Sequence, residues 1–204
     1  PLAGIWYGMY ENISGKEGLG YSGHGHMRDV RDDVRRAVQQ LAAQDIHHLA
    51  YLQSTIYTPL ESDPQDGALA AKYVARTRDG QPVMYHDLGY TMDRSTRWWQ
   101  DRIIEQSKKA VAAGFAGIYL DSFGKGSAEC FAPNHDHPLG GGHSGISGQR
   151  EMAERTLQAI RKINPDAVLS GEDPVEAFRD LVQVNLFSVN MWPGYLPLYR
   201  VIWG

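Results

Sequence analysis

The sequence predicts an α/β fold built on a parallel sheet, an incomplete (β/α)8 TIM barrel of about six strands whose first and last units are missing. Three observations carry this expectation. Apolar runs of strand length alternate with segments of helical period, and parallel neighbours need a crossover that is usually helical. No Gly-x-Gly-x-x-Gly turn leads directly from a strand into a helix: Gly18 to Gly23 has the spacing but stands apart from both the strand ending at Tyr10 and the helix that follows, and Gly140-Gly141-Gly142 has no strand before it, which argues against an open doubly wound sheet. The chain has 204 residues, whereas a full barrel runs to about 250.

The elements follow in order. Gly4 to Tyr10 is rich in β-formers and leads into a Gly-rich loop through Gly23. Val30, Val34, Val38 and Leu41, spaced i, i+4, i+8, i+11, mark one face of a helix. His48 to Thr55 reads as a strand. Pro59, Asp63-Pro64, Asp79-Gly80 and Pro82 read as turns in a long excursion over residues 59–93. Arg94 to Ala113 is a helix with Trp99, Ile103, Ala110 and Val111 facing inward and Gly114 near its end. Gly117 to Leu120 is a buried strand ending at Asp121-Ser122. Residues 122–147, rich in Gly, His, Pro and Asn, form a loop of the length that usually serves function. A helix through Met152, Leu157, Ile160 and Ile163 stops at Asn164-Pro165. Ala167 to Ser170 is a strand ending at Gly171-Glu172, a brief helix over Pro174 to Leu181 follows with Asp173 as its N-cap, and Asn185 to Met191 and Tyr199 to Trp203 are the last strands.

Composition narrows the function. The formal net charge is −4, with 42% hydrophobic and 22% charged residues, an ordinary globular balance with enough apolar content for one core. Without a basic surplus or an apolar run near ~20 residues, neither nucleic acid nor membrane is an expected partner. Cys130 is the only cysteine, so no internal disulfide forms and the compartment is not legible. The chain opens at Pro1 and stops within a strand-like run, so residues 1–204 are expected to be part of a catalytic domain, with further domains in a longer chain.

In a barrel the catalytic groups stand at the C-terminal ends of the strands. Asp121 and Glu172 meet that rule on consecutive strands. Neighbouring strands lie ~4.8 Å apart, so two such carboxyls can reach the ~5–5.5 Å of a retaining glycosidase. Asp after a strand is also a common helix N-cap or turn residue, so it is the pairing that singles these two out. Aromatic residues near strand ends, Trp6, Tyr7, Tyr10, Tyr51, Tyr57, Tyr119 and Trp192, offer faces for sugar rings or simply fill the core. Gln53, Asn190 and the loop histidines offer directional hydrogen bonds.

The eight histidines include two His-x-His pairs, His24/His26 and His135/His137, beside His86-Asp87, His47-His48 and His143. Both pairs sit inside Gly-rich loops and not at a strand tip, where barrel zinc sites carry theirs, so a solvated or substrate-facing role is expected, no metal is assigned and no cofactor is expected. Cys130 shows no zinc spacing and no adjacent base. Ser122 and Ser170 lack a Gly-x-Ser-x-Gly elbow.

The segment Gly114 to Ser122, with Cys130-Phe131 and His135-Asp136-His137-Pro138-Leu139-Gly140-Gly141-Gly142, resembles a bacterial family of glycoside-hydrolase-like TIM barrels. That family is distantly similar to endo-α-N-acetylgalactosaminidases and, more remotely, to the α-amylase clan. The resemblance covers roughly residues 94–203. It implies an Asp nucleophile ending the fourth strand and a Glu acid/base ending the fifth, which fall on Asp121 and Glu172 and number the strands here from about the second to the seventh. Ile118-Tyr119-Leu120 replaces the Trp-rich surroundings of the galactosaminidase nucleophile, so their substrate is not transferred.

The expected function is a retaining glycoside hydrolase acting on an α-linked glycan, with Asp121 and Glu172 catalytic. Tyr119, His135, His137, Tyr51, Gln53, Asn190 and Trp192 are the expected substrate contacts. Two alternatives stand beside it: a metal-dependent barrel hydrolase using the His-x-His loops, and a non-catalytic carbohydrate-binding barrel.

Overall fold

The computed structural model describes residues 2–6, 29–60, 63–86, 89–124, 129–141, 143–173 and 176–185. In chain order the first half gives β1 (Leu2–Trp6), α1 (Asp32–Ala42), β2 (His47–Gln53), β3 (Ile56–Tyr57), α2 (Pro64–Ala70), β4 (Met84–Tyr85) and β5 (Gly89–Thr91). The second half gives α3 (Arg97–Ala113), β6 (Gly117–Asp121), α4 (Gly148–Arg161), β7 (Val168–Gly171) and β8 (Val184–Asn185).

β1, β2, β6, β7 and β8 form one parallel sheet in that spatial order. Each lies beside its predecessor, so the sheet grows in one direction without the reversal of strand order that marks a doubly wound sheet. The fold is mixed α/β, and the sheet is consistent with part of a TIM-barrel-like fold. Among the described residues no helix is long and apolar enough to cross a membrane.

Alternation along the strands sorts side chains to two faces. Ala50, Leu52, Ile118, Leu120 and Leu169 join the main core with Val34 and Val38 of α1, Trp99, Ile103, Ala110 and Val111 of α3, and Met152, Leu157 and Ile160 of α4. Each such large side chain taken out of water contributes roughly 1.5–3 kcal/mol. Leu49, Tyr51 and Tyr119 lie on the opposite face, packed with Ile5 and Val168 in a separate cluster. Trp6 belongs to the helix side, against His48 and Phe115.

α3 ends where Gly114 takes the left-handed conformation (φ 116°, ψ 4°). Ile163, expected on the buried face of the next helix, is exposed because α4 stops at Arg161. The excursion differs more from expectation. Asp63-Pro64 is a helix start and not a plain turn: the Asp63 side chain accepts from Asp66 N and Pro64 occupies the first turn of α2. β3, β5 and β4 then make a small antiparallel sheet in that order. Arg102 of α3 grips this unit through Asp66 at 2.9 and 2.7 Å, while Tyr57 OH donates to the same carboxylate at 2.8 Å. Tyr57, a candidate sugar platform, is therefore core. The helix expected over 174–181 is a single turn at Glu176–Phe178 among the described residues. The strand expected at 185–191 is described only at its start, and that at 199–203 lies outside the described residues.

The loops after β6 and β7 pack directly on each other. Asp173 N donates to Phe123 O at 3.1 Å, while Gln149 of α4 accepts from Gly124 N at 3.0 Å and holds the first of these loops. Gly124 has φ +89°, and a Cβ there would stand 2.1 Å from Asp173 O. Gly124→Ala combines a left-handed backbone with that clash and is expected to cost at least about 2 kcal/mol, read as a lowered denaturant midpoint at unchanged slope.

Candidate functional site

The register of three strands builds the site. Tyr51 pairs with Tyr119 and Gln53 with Asp121 across β2 and β6, while Leu120 pairs with Gly171 across β6 and β7. Glu172 is thus the next residue of its strand line beside Asp121. The side chains of this parity project from the face opposite the helices.

Asp121 Oδ2 accepts from Tyr51 OH and from Gln53 Nε2, both at 2.7 Å, and Oδ1 has a longer contact of 3.4 Å with Tyr119 OH. Thr55 N donates to Gln53 Oε1 at 2.9 Å, so the amide is oriented at both ends. The two phenol rings lean together with centroids 5.9 Å apart. Glu172 Oε2 accepts from Ser122 N at 2.8 Å, the amide next to Asp121. Two carboxyl groups therefore stand at neighbouring strand ends, each oriented by named donors. Such a pair can supply a nucleophile or base and an acid to one substrate bond.

Their backbone is held from below. Ser122 is a non-glycine residue at φ +58°, a conformation that costs roughly 1–3 kcal/mol and clusters at functional sites. Its carbonyl accepts from Arg94 Nη1 at 3.0 Å. Burial lowers the Arg94 guanidinium to about 10 against the opposing pull of the Asp93 charge, so it remains a cation at neutral pH. Ser54 captures Asp121 O through N at 3.1 Å and Oγ at 2.6 Å, and Trp99 Nε1 donates to Ser54 O at 2.8 Å.

His135 and His137 take another course. Their rings turn into a buried cluster with Asp93 and Cys130, a donor set able to hold a metal ion, with all four ligand atoms within 4.8 Å of one another. Burial opposes the charged form of His135, but Asp93, Cys130 and the Lys72 carbonyl outweigh it and push it up to about 10. Burial likewise opposes charge on His137, which the Pro138 carbonyl and Asp93 raise. Asp93, despite its burial, is held well below the usual carboxylate range by His135 and Ser95. The ring nitrogens of both histidines are thus engaged inside the protein, which is not the placement that substrate contacts call for. Sequence reasoning missed Asp93, which lies 42 residues before His135, and set Cys130 aside. The signal available was Cys130-x4-His135-x-His137 within one loop.

Of the other expected contacts, Asn190 and Trp192 lie outside the described residues, as do Tyr7, Tyr10, His24 and His26. Tyr51, Gln53, Tyr119, Asp121 and Glu172 come together. Ser170, on the same face, buries an Oγ without a hydrogen-bond partner among the described residues. Because an unpaired buried hydroxyl opposes folding, Ser170→Ala is expected to be neutral or stabilising by up to about 1 kcal/mol in thermal unfolding.

Residues 25–194 match the profile of a family described as "Domain of unknown function (DUF6259)". No curated protein sequence matches the chain. Among solved structures, an α-galactosidase from Thermus thermophilus in complex with p-nitrophenyl α-D-galactopyranoside is similar at 17% identity and TM-score 0.54, over 74% of this chain and 29% of that one. An α-N-acetylgalactosaminidase from Bifidobacterium bifidum is similar at 14% identity and TM-score 0.53, over 80% and 26%. A cycloalternan-forming enzyme from Listeria monocytogenes gives 13%, 0.53, and coverage of 76% and 16%. The chain thus spans less than a third of each of these proteins. At such identities the likeness is one of fold, a fold distantly like that of glycoside hydrolases.

Proposed function

Because the chain belongs to the DUF6259 family, whose description names no reaction, we propose from its own geometry that it is part of a retaining glycoside hydrolase acting on an α-linked glycan. The observation that carries the reading is the pair Asp121 and Glu172 on adjacent parallel strand tips, joined through the Ser122 amide. In this reading the five parallel strands are consecutive units of a (β/α)8 barrel and these strand ends are part of its mouth.

Asp121 attacks the anomeric carbon, and Tyr51, Gln53 and Tyr119 hold its plane. Glu172 first gives a proton to the departing glycosidic oxygen. It then takes one from the water that attacks the glycosyl–Asp121 ester, which releases the sugar and restores both carboxyls. The chemistry needs one group ionised and one protonated at the start. A strand separation of ~4.8 Å is compatible with the ~5–5.5 Å between carboxyls that the retaining route uses.

The test uses the full protein with p-nitrophenyl α-D-galactopyranoside and other aryl α-glycosides. Asp121→Asn is expected to lower kcat at least about 10³-fold while thermal unfolding stays near wild type. Glu172→Ala is expected to lose about 10²–10⁴-fold on sugars with poor leaving groups and far less on activated aryl ones, since the latter depart without a proton. A 2-deoxy-2-fluoro glycoside should label Asp121, detected by peptide mass spectrometry. Wild-type turnover by Asp121→Asn would sink the assignment, and tight glycan binding with no turnover by the native protein would favour a carbohydrate-binding barrel.

A further inference from the structure

We infer that Asp93, Cys130, His135 and His137 form a closed structural site for one zinc-type transition-metal ion, fastening the loop over residues 129–141 to the excursion over residues 63–93. The argument starts from the ring nitrogens. His135 Nε2 lies 2.9 Å from Lys72 O, and His137 Nδ1 lies 2.7 Å from Pro138 O. A carbonyl only accepts, so each contact requires the hydrogen on that nitrogen. In a neutral imidazole the opposite nitrogen then carries a lone pair. Those opposite nitrogens, His135 Nδ1 and His137 Nε2, both face Asp93 Oδ2, at 2.8 and 2.6 Å. A carboxylate also only accepts, so without an ion each ring carries a second hydrogen and pairs with Asp93 as an imidazolium; a bound ion takes the place of those two hydrogens and uses the lone pairs. Cys130 Sγ stands 3.4 Å from the same Nδ1.

Four donor atoms therefore converge on one point. The Asp93, His135 and His137 side chains are 0%, 2% and 1% exposed, and Cys130 is fully buried. Tying the outer nitrogen of a histidine to a backbone carbonyl is how proteins fix the tautomer of a metal-binding imidazole. Here both histidines are tied in that way.

The donor set selects the ion. One sulfur, two imidazole nitrogens and one carboxylate oxygen suit tetrahedral zinc. A divalent ion with one thiolate and one carboxylate is a neutral unit, which a buried position accepts more readily than a charged one. With metal–ligand bonds of about 2.0–2.3 Å, the edges of a tetrahedron measure roughly 3.3–3.7 Å. The separation between Cys130 Sγ and His135 Nδ1 already has that length, and the two Asp93 contacts open by roughly 0.5–0.8 Å to admit the ion.

All four positions are taken by protein atoms, so the site is structural and leaves none for a water or substrate. The same geometry sets aside a thiol nucleophile. A Cys-His-Asp relay uses one ring nitrogen toward the thiol and the other toward the carboxylate. Cys130 and Asp93 share Nδ1, and Nε2 is spent on Lys72 O.

The test reads metal content and stability in the full protein, independently of any glycosidase assay. After dialysis against zinc and removal of the excess, elemental analysis is expected to return about one zinc per chain bound at this cluster. Cobalt(II) in its place should show thiolate-to-cobalt charge transfer, and a strong chelator should lower Tm reversibly. Cys130→Ser should abolish the charge-transfer band and weaken zinc by more than the roughly 10–100-fold that loss of an outer partner costs. Wild-type protein that takes up neither zinc nor cobalt stoichiometrically, with the same Tm with and without chelator, overturns the site whatever the variants do. Full affinity and an intact cobalt band in Cys130→Ser overturn it as well, because the ion then lies elsewhere.

Discussion

The register of β2, β6 and β7 is the constraint on which the candidate site depends. Leu52, Leu120 and Leu169 are drawn under α1, α3 and α4 by burial, and the pleat then leaves residues of the other parity, Gln53, Asp121 and Glu172, for the opposite face. A slip of one residue would move an entire apolar set out of the core and turn the carboxylates under the helices. The same burial that stabilises the fold thus decides which residues can do chemistry. No separate device is needed to bring the two carboxyls to one side.

Position along the strand is a second matter, and it is settled by hydrogen bonds that run from α3. Trp99 Nε1 fixes Ser54 O, Ser54 fixes Asp121 O, and Arg94 fixes Ser122 O, while Gln100 Nε2 holds Arg94 O at 3.0 Å. The left-handed backbone at Ser122 costs energy that these contacts offset. In return its amide faces Glu172. Arg94 and Trp99 are both almost fully buried, so the contacts they make to the strand tip are shielded from competition by water.

What was legible in the sequence follows the strength of each signal. The i, i+4, i+8 valines, the inward face of α3 and the Gly114 stop are local and periodic, and they place α1, α3 and β6 within a few residues. Asp121 and Glu172 could be singled out because they end apolar runs. The excursion was legible only as turns, because strands of two and three residues have no period to detect and owe their existence to pairing between segments far apart in sequence. The Asp93 cluster was hidden for a related reason. Its histidines and cysteine sit in one loop outside the named helices and strands, and their carboxylate comes from two residues past β5, a strand whose own presence the sequence does not announce.

That dependence gives the excursion its meaning. Two- and three-residue strands do not hold together in water by themselves. This unit therefore needs side-chain anchors, and the structure supplies two. One is Asp66, clamped by Arg102 and Tyr57, with Arg102 lying 4.6 Å over the Trp98 ring and Trp98 stacked on Tyr73 at 4.9 Å. The other is the buried Asp93 cluster, whose carboxylate immediately precedes Arg94. A segment poor in regular structure thereby carries the guanidinium that steadies Ser122, and through it the amide shared between Asp121 and Glu172. Through Arg94 the Asp93 cluster and the two carboxylates belong to one connected frame.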